Sequence, residues 1–492
     1  MFREQICESP MNQASATSRA VPSPAASAPG RALFFVFYVV VFISGISLYP
    51  TDLRLTALGC LALSVAGLPF LGAHSKINWM SSWSLFYLST PVALIARSLF
   101  IDLDYPNAQL INAVLLLGRP KEDVQAAMMV LIFAIGSAAI GYLTGGRAKW
   151  LTSRQLFRRE WDETRLVRTC WVVLSLSISA FCLYVRQYGT ETLSHYRGVS
   201  TDLADYRANG YLFAFAGLSH VVIVLAWTGI IIARLRSKSL YFIFVLSIAV
   251  SIALAIYSSS RGSILVTALT CVAITYYKRN FSIRLFRTII IFAVALTLVD
   301  ILYQLRVDST AQVSIRNASE MMQPVIVSMT FIDASKTAQV IALVPDKLSY
   351  QFGKTYLNIL LAWIPRQLWP EKPPNLDTQL GNLVFGQQVY GSAGLPCGQV
   401  AELFLNFSYP GIFVGCFFFG RFSKYLDTWL EQKRQNPNAV VIYATTCMLL
   451  VFEFFGSTAY GILTGVIFIL CAQMIILNSI SVQGQRKRIH NN

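Results

Sequence analysis

Apolar residues fall in long runs along this chain, at roughly 32–49, 55–73, 83–100, 127–144, 169–186, 211–233, 240–257, 263–277, 288–304, 403–420, 439–455 and 459–478. Runs of this length cross about 30 Å of hydrocarbon as helix at about 1.5 Å per residue. A helix is required, because lipid offers unpaired backbone N–H and C=O groups no partner. The pattern predicts an all-α, polytopic helical membrane protein of about twelve transmembrane helices. Nine helices lie in residues 32–304 and three in 403–478, separated by one large polar segment, 305–402. That segment contains apolar stretches at 322–332, 338–344 and 356–364, too short to span and expected to be interfacial or re-entrant. Residues 1–31, rich in Ala, Ser and Pro, read as a disordered cytoplasmic tail, and 479–492 as a second cytoplasmic tail.

Composition agrees with this reading: 55% of residues are hydrophobic and only 13% charged, which excludes an ordinary soluble domain. The net charge of +16 would suit a nucleic-acid binder, but its placement argues otherwise. When polar segments are assigned alternately to two sides, one side carries most of the Lys and Arg, as in 147–168, 234–238, 278–287, 421–434 and 486–488. This positive-inside asymmetry predicts both termini in the cytoplasm and the long loop outside, with membrane lipids rather than nucleic acid as the partner of the basic excess. Cysteine adds little, since most of the nine fall in apolar runs, Cys7 lies in the tail, and only Cys397 is expected in an external loop.

Ionisable residues near the runs collect toward the loop side: Arg97, Arg186, Arg261, Asp300, Glu402 and Glu453. The inner halves of the runs are almost free of them. A site at the outer boundary explains this one-sidedness, and a conduit through the membrane does not. In the external segment 187–210, Tyr196-Arg197 and Tyr206-Arg207 each set a guanidinium beside a ring, a pairing suited to a sugar face next to a phosphate. In the long loop, Pro365, Pro370, Pro373 and Pro374 stiffen the backbone around Arg366, Trp369 and Lys372. Two cations and a Trp on a rigid segment suit an anionic, sugar-bearing ligand at a membrane surface. Further on, a glycine-containing stretch from Gly391 to Gly398 leads to Glu402 and Asn406. Glu402 is a candidate general base, or a favourable partner of a helix dipole. Asp102 and Asp104 have a spacing common by chance, and His74, His195, His220 and His490 are scattered, so no metal is assigned. There is no phosphate-binding Gly-rich loop, nucleophile elbow or nucleotide fingerprint, and no cofactor is expected.

The chain resembles the Wzy-type O-antigen polymerases, also called oligosaccharide repeat-unit polymerases. The resemblance is carried by Ile364-Pro365-Arg366, Leu368-Trp369-Pro370 and Lys372-Pro373, by Ser260-Arg261-Gly262, by the approach from Gly394 to Glu402, and by Asn406-Phe407 with Gly411. Arg-rich repeats with a Gly eleven positions on, known in some members, are not matched, since Ala208 and Asp377 occupy those places. The resemblance implies a glycosyltransferase of lipopolysaccharide biosynthesis in the bacterial inner membrane. It would move a growing glycan from its polyprenyl pyrophosphate carrier to an incoming lipid-linked repeat unit. Donor and acceptor would both be polyprenyl-pyrophosphate-linked oligosaccharides, and a chain-length regulator and a flippase are implied as partners. On this reading Arg366, Arg261 and Arg207 stabilise the pyrophosphate, with Lys372 and Arg197 as further contacts, Trp369 as sugar platform and Glu402 as base. An O-antigen ligase and a lipid-linked oligosaccharide flippase are the alternatives.

Overall fold

The computed structural model describes residues 28–71, 78–103, 119–146, 159–188, 210–258, 261–278, 297, 334–361, 364, 368–369, 371–385, 395–433, 436–454 and 456–483. Its helices are α1 (Ala28–Leu48), α2 (Arg54–Leu71), α3 (Ser82–Asp102), α4 (Lys121–Thr144), α5 (Glu163–Tyr188), α6 (Gly210–Ala216), α7 (Leu218–Ile231), α8 (Lys238–Ser258) and α9 (Arg261–Lys278). Three short helices follow in the loop region, α10 (Ala334–Leu343), α11 (Lys354–Leu361) and α12 (Leu376–Phe385). The helical stretch Gln399–Lys433 is interrupted at Phe407 and Ser408 and so forms two helices, α13 over 399–406 and α14 over 409–433. α15 (Pro437–Glu453) and α16 (Ala459–Ile480) complete the set.

Among the described residues, eight helical stretches are long and apolar enough to cross a membrane, and Phe34–Leu48, Ser263–Lys278 and Pro437–Val451 are shorter apolar helices. Ten of the twelve expected spans therefore overlap apolar helices as placed; the tenth, 403–420, falls across the break at Phe407 and Ser408, and the ninth, 288–304, lies outside the described residues apart from Thr297. The short stretches at 338–344 and 356–364 overlap α10 and α11, too short to span, while 322–332 lies outside the described residues.

The most extensive packing is between α4 and the Gln399–Lys433 stretch. Close approach there depends on two glycines. A Cβ on Gly141 would strike the Phe417 carbonyl, and one on Gly420 the Ala138 carbonyl, so each helix presents bare backbone to the other. Small residues at the crossing are what allow helices to pack tightly in lipid, where no hydrophobic drive joins them. At one end of the bundle a three-residue antiparallel ribbon pairs β1 (Arg159–Trp161) with β2 (Ser481–Gln483), with Trp161 opposite Ser481. Trp161 Nε1 donates to Asn438 Oδ1 at 2.5 Å, tying the ribbon to the start of α15.

The tenth expected span needs correction. It was placed at 403–420 with Glu402 at its mouth, but α13 does not continue into α14. Ser408 has φ 55° and Pro410 lacks an N–H, so the helix cannot propagate through this point. The chain folds back instead. A Cβ on Gly415 would lie 2.5 Å from the Leu403 side chain, and Leu403 O lies 2.8 Å from the same position on Gly411. In one straight helix residues 403 and 415 would stand about 18 Å apart at about 1.5 Å per residue. α13 is thus a short helix laid back along the first turns of α14. Gln399 N donates to Phe454 O at 3.0 Å, and the Phe454 ring stacks on Phe419 at 4.0 Å between centroids, which sets the start of α13 well down the side of α14.

Candidate functional site

Breaking a helix leaves carbonyls without partners. Leu405 O and Asn406 O lose the acceptors' usual donors at Tyr409 and Pro410, and the loop supplies replacements. Gln351 N donates to Leu405 O at 3.0 Å and Phe352 N to Asn406 O at 3.2 Å. The Asn406 side chain completes the junction, its Oδ1 accepting from Gly353 N at 2.8 Å. Gly353 has φ +87°, a left-handed conformation that costs glycine little and aims its N–H at Asn406. The Asn406 Nδ2 donates to Thr355 Oγ1 at 2.7 Å and to Glu402 O at 2.8 Å.

Glu402 lies one turn before Asn406 and is 1% exposed. Its Oε1 accepts from Thr355 Oγ1 at 2.7 Å. Its Oε2 accepts from Ala459 N at 2.6 Å and from Gln399 Nε2 at 3.1 Å. Ala459 is the first residue of α16, so the carboxylate sits at the positive end of a 22-residue helix. Thr458, the N-cap of that helix, makes no side-chain cap of its own, and its buried hydroxyl has no partner among the described residues. The favourable-dipole reading of Glu402 thus holds, with α16 rather than its own helix as the partner.

More polar groups gather around this point. Lys336 of α10 is 1% exposed, and Ser335, Thr337 and Gln339 of the same short helix are also buried. Gln339 Oε1 accepts from Arg119 Nε at 2.9 Å, which holds α10 against the start of α4. Burial pushes the Cys397 thiol well above its ordinary value. The nearby carboxylates of Glu402 and Asp377 add to the effect, and the Lys336 ammonium opposes it. Tyr356 stacks on Phe407 with centroids 6.4 Å apart, and its buried hydroxyl has no hydrogen-bond partner among the described residues. Lys336, Asp377, Cys397, Tyr356, Thr355, Glu402 and Asn406 therefore form one polar cluster inside the loop end of the bundle. The sequence reading had singled out only Glu402, Asn406 and Cys397 of these. Lys336 and Asp377 carry no local mark of burial in the sequence beyond the apolar stretch at 338–344 beside Lys336.

The expected site residues divide sharply. Arg366, Arg197 and Arg207 lie outside the described residues; Arg261 opens α9, with its side chain outside them. Trp369 is half-buried. Lys372 Nζ donates to Ile364 O at 3.0 Å and Lys372 N to Trp369 O at 3.1 Å, so Lys372 is turned back onto Ile364 and Trp369. α11 carries the chain from Thr355 to Leu361, whose carbonyl accepts from Ile364 N at 3.1 Å. Asp102 is no free metal ligand: its Oδ2 accepts from Thr56 N at 2.7 Å and Thr56 Oγ1 at 2.8 Å, capping the start of α2, while Asp104 lies outside the described residues. No group of three or more His, Cys, Asp or Glu suited to a metal is found among the described residues.

One feature at the opposite end was missed entirely. Asp427 of α14 is buried, and its Oδ1 accepts from Ser82 N at 2.8 Å and Tyr443 OH at 2.5 Å. Its Oδ2 accepts from Tyr142 OH at 2.9 Å. In sequence it was one acid in a charged connecting segment, with nothing to mark it as buried.

The fold defines a multi-pass helical membrane protein with a loop region packed into one end. Comparison with family models, curated proteins and solved structures returns no match. Function is therefore argued from the residues.

Proposed function

We propose that this protein is a membrane glycosyltransferase that polymerises lipid-linked oligosaccharide repeat units at the outer face of the bacterial inner membrane. In the reaction an acceptor sugar hydroxyl attacks the anomeric carbon of the donor glycan. The new glycosidic C–O bond forms, the C–O bond to the carrier pyrophosphate breaks, and polyprenyl pyrophosphate leaves, its oxygens taking up the proton that the acceptor hydroxyl releases. The leaving group is already activated, so the protein's main task is to stabilise the charge that develops on it. Arg366, Arg261 and Arg207 are assigned to that task, Lys372 and Arg197 to further phosphate contacts, and Trp369 to the sugar face.

The observation that carries this reading is the way the loop region is built. A mere tether between spans would stay in solvent with its polar groups hydrated. Here the segment 351–355 is bonded into a broken helix, buried charged residues gather beside it, and the motif bearing Trp369 and Lys372 follows after the short helix α11. Irregular backbone beside membrane helices is tolerated where it is buried in protein or lines a site.

A deletion strain complemented with wild type or with Arg366→Ala tests the reading on a lipopolysaccharide gel. A lost ladder with a retained core-plus-one-unit band, restored by wild type and not by Arg366→Ala, is the expected result. Loss of every O-unit band would point to a ligase or a flippase instead. An Arg366→Ala protein that is inserted, abundant and makes full-length polymer would remove Arg366 from the site.

A further inference from the structure

A general base needs a free lone pair facing the proton it takes. Glu402 offers none to solvent: three of its roughly four acceptor sites are taken by donors, and burial encloses the rest. It is 1% exposed, and its two oxygens accept from Thr355 Oγ1, Gln399 Nε2 and Ala459 N. Every one of these contacts is a donor, and together they hold the carboxyl group still. What the geometry does provide is attachment. Thr355 donates to Glu402 and accepts from Asn406, Asn406 Oδ1 receives Gly353 N, and the carbonyls of Leu405 and Asn406 receive Gln351 N and Phe352 N. The turn before α11 and its second residue, Thr355, are therefore bonded to α13, while Leu357 and Leu360 are 63% and 72% exposed. Thr355 is the one buried residue of α11, whose remaining packing is against α16.

We propose that Glu402, Thr355 and Asn406 are positioning residues, a clasp that fixes α11 and through it the Ile364–Pro373 motif, and that Glu402 does not itself take the acceptor proton. This rests on the reading that the motif binds the lipid-linked glycan. Thr355 is the hinge of the argument, because its hydroxyl is both donor and acceptor in the chain from Asn406 to Glu402. Valine keeps its shape and removes both bonds while leaving the Glu402 carboxylate chemically intact.

The test uses the full-length protein in native membranes, with two readouts. The first is kcat and KM for polymerisation of a lipid-linked repeat unit by wild type, Thr355→Val, Thr355→Ser and Glu402→Gln. The second is the labelling rate of Leu368→Cys by a membrane-impermeant maleimide, corrected for the same protein without that cysteine; Leu368 is 78% exposed. Thr355→Val should lower kcat/KM about 100-fold, the order expected when reacting groups are misplaced by about 1 Å, with KM rising. It should also change Leu368→Cys labelling several-fold. Thr355→Ser, which restores the hydroxyl, should return both readouts to near wild type. Glu402→Gln should keep measurable turnover, and the pH profile should keep its limbs.

Two results overturn the clasp. One is a Thr355→Val protein with wild-type kinetics and unchanged labelling. The other is a Glu402→Gln protein with no turnover beside a Thr355→Val protein that is active, which would restore Glu402 as the base. Because labelling needs no substrate, a several-fold change of Leu368→Cys labelling on adding Thr355→Val, beside a wild-type protein that makes no polymer, would overturn the proposed function and leave the clasp supported.

Discussion

Two buried carboxylates stand toward the two ends of the same stretch of chain, and they are used differently. Asp427 joins parts that are already rigid: the first residue of α3, Tyr142 near the end of α4, and Tyr443 in α15. Each partner belongs to a helix long enough, or apolar enough, to be fixed by its own packing. Glu402 joins parts that would not otherwise stay together: a helix of two turns, a loop helix of eight residues and the first N–H of α16. The chemistry is the same, a buried carboxyl group with both oxygens engaged by donors. The lesson is that a buried carboxylate acts as a seam where its partners are rigid and as a clasp where one partner is a loop.

The largest effect should therefore come from the seam. Asp427→Ala would take the acceptor from the Tyr142 hydroxyl, and would leave Ser82 N–H only the Tyr443 hydroxyl and that hydroxyl only the long contact to Met80 O, all in the packed interior. One stranded buried donor costs about 1–3 kcal/mol, and the packed helices leave water no easy way in. We expect a loss of about 3 kcal/mol, read as a steep fall in folded protein after detergent extraction and heating. A small change would mean the helices relax around the gap, and the contrast with Glu402 would weaken.

The next effect lies between the two ends, on the crossing that holds them in register. Gly141→Val would drive a branched side chain into the Phe417 backbone, and no rotamer change can move a carbonyl aside. Overpacking of this kind costs about 1–3 kcal/mol. Gly136→Val in the same helix meets only Val65 at 3.6 Å and should be tolerated. The pair is compared by thermal stability of the extracted protein.

How far this was legible in the sequence follows the same division. The spans were readable because a run of apolar residues has one stable solution in lipid. The crossing at Gly141 and Gly420 was not, since a glycine in an apolar helix carries no mark of what faces it. The fold-back at Phe407–Ser408 had a local signal in Ser408-Tyr409-Pro410-Gly411, but a proline early in a run can equally kink a helix or sit in its first turn. Lys336 and Asp427 were opaque for a common reason. Burial of a charge depends on partners far along the chain, such as Ser82 and Tyr142 for Asp427, and no composition window contains them.

Asn406→Ala should sharpen the contrast from the loop end. It removes the acceptor for Gly353 N and the donor to Thr355, yet the loop can shift and let water reach those groups. We expect a stability loss of about 1 kcal/mol, smaller than for Asp427→Ala, together with a fall in polymer length out of proportion to it. Equal losses of stability in the two variants would show that the loop end is as rigid as the seam, and the clasp would lose its distinction.

The smallest effect is a change in reactivity with no change in stability. Cys397 is 3% exposed, and burial, reinforced by the charges of Glu402 and Asp377, holds its thiol well above the ordinary value of about 8.5. A raised value means less thiolate at any given pH below it, so Cys397 should resist maleimide near pH 8, where an exposed thiol reacts readily. Opening the clasp should reverse this. In Thr355→Val, α11 and α13 lose a shared bond, water gains access to the cluster, and the thiol should label at a measurable rate while the folded fraction stays constant. Mass spectrometry of the peptide containing Cys397 reads the change directly. Equal protection in wild type and Thr355→Val would mean that α13 stays closed without Thr355, and that burial around Cys397 depends on the packing of α10 and α12 instead.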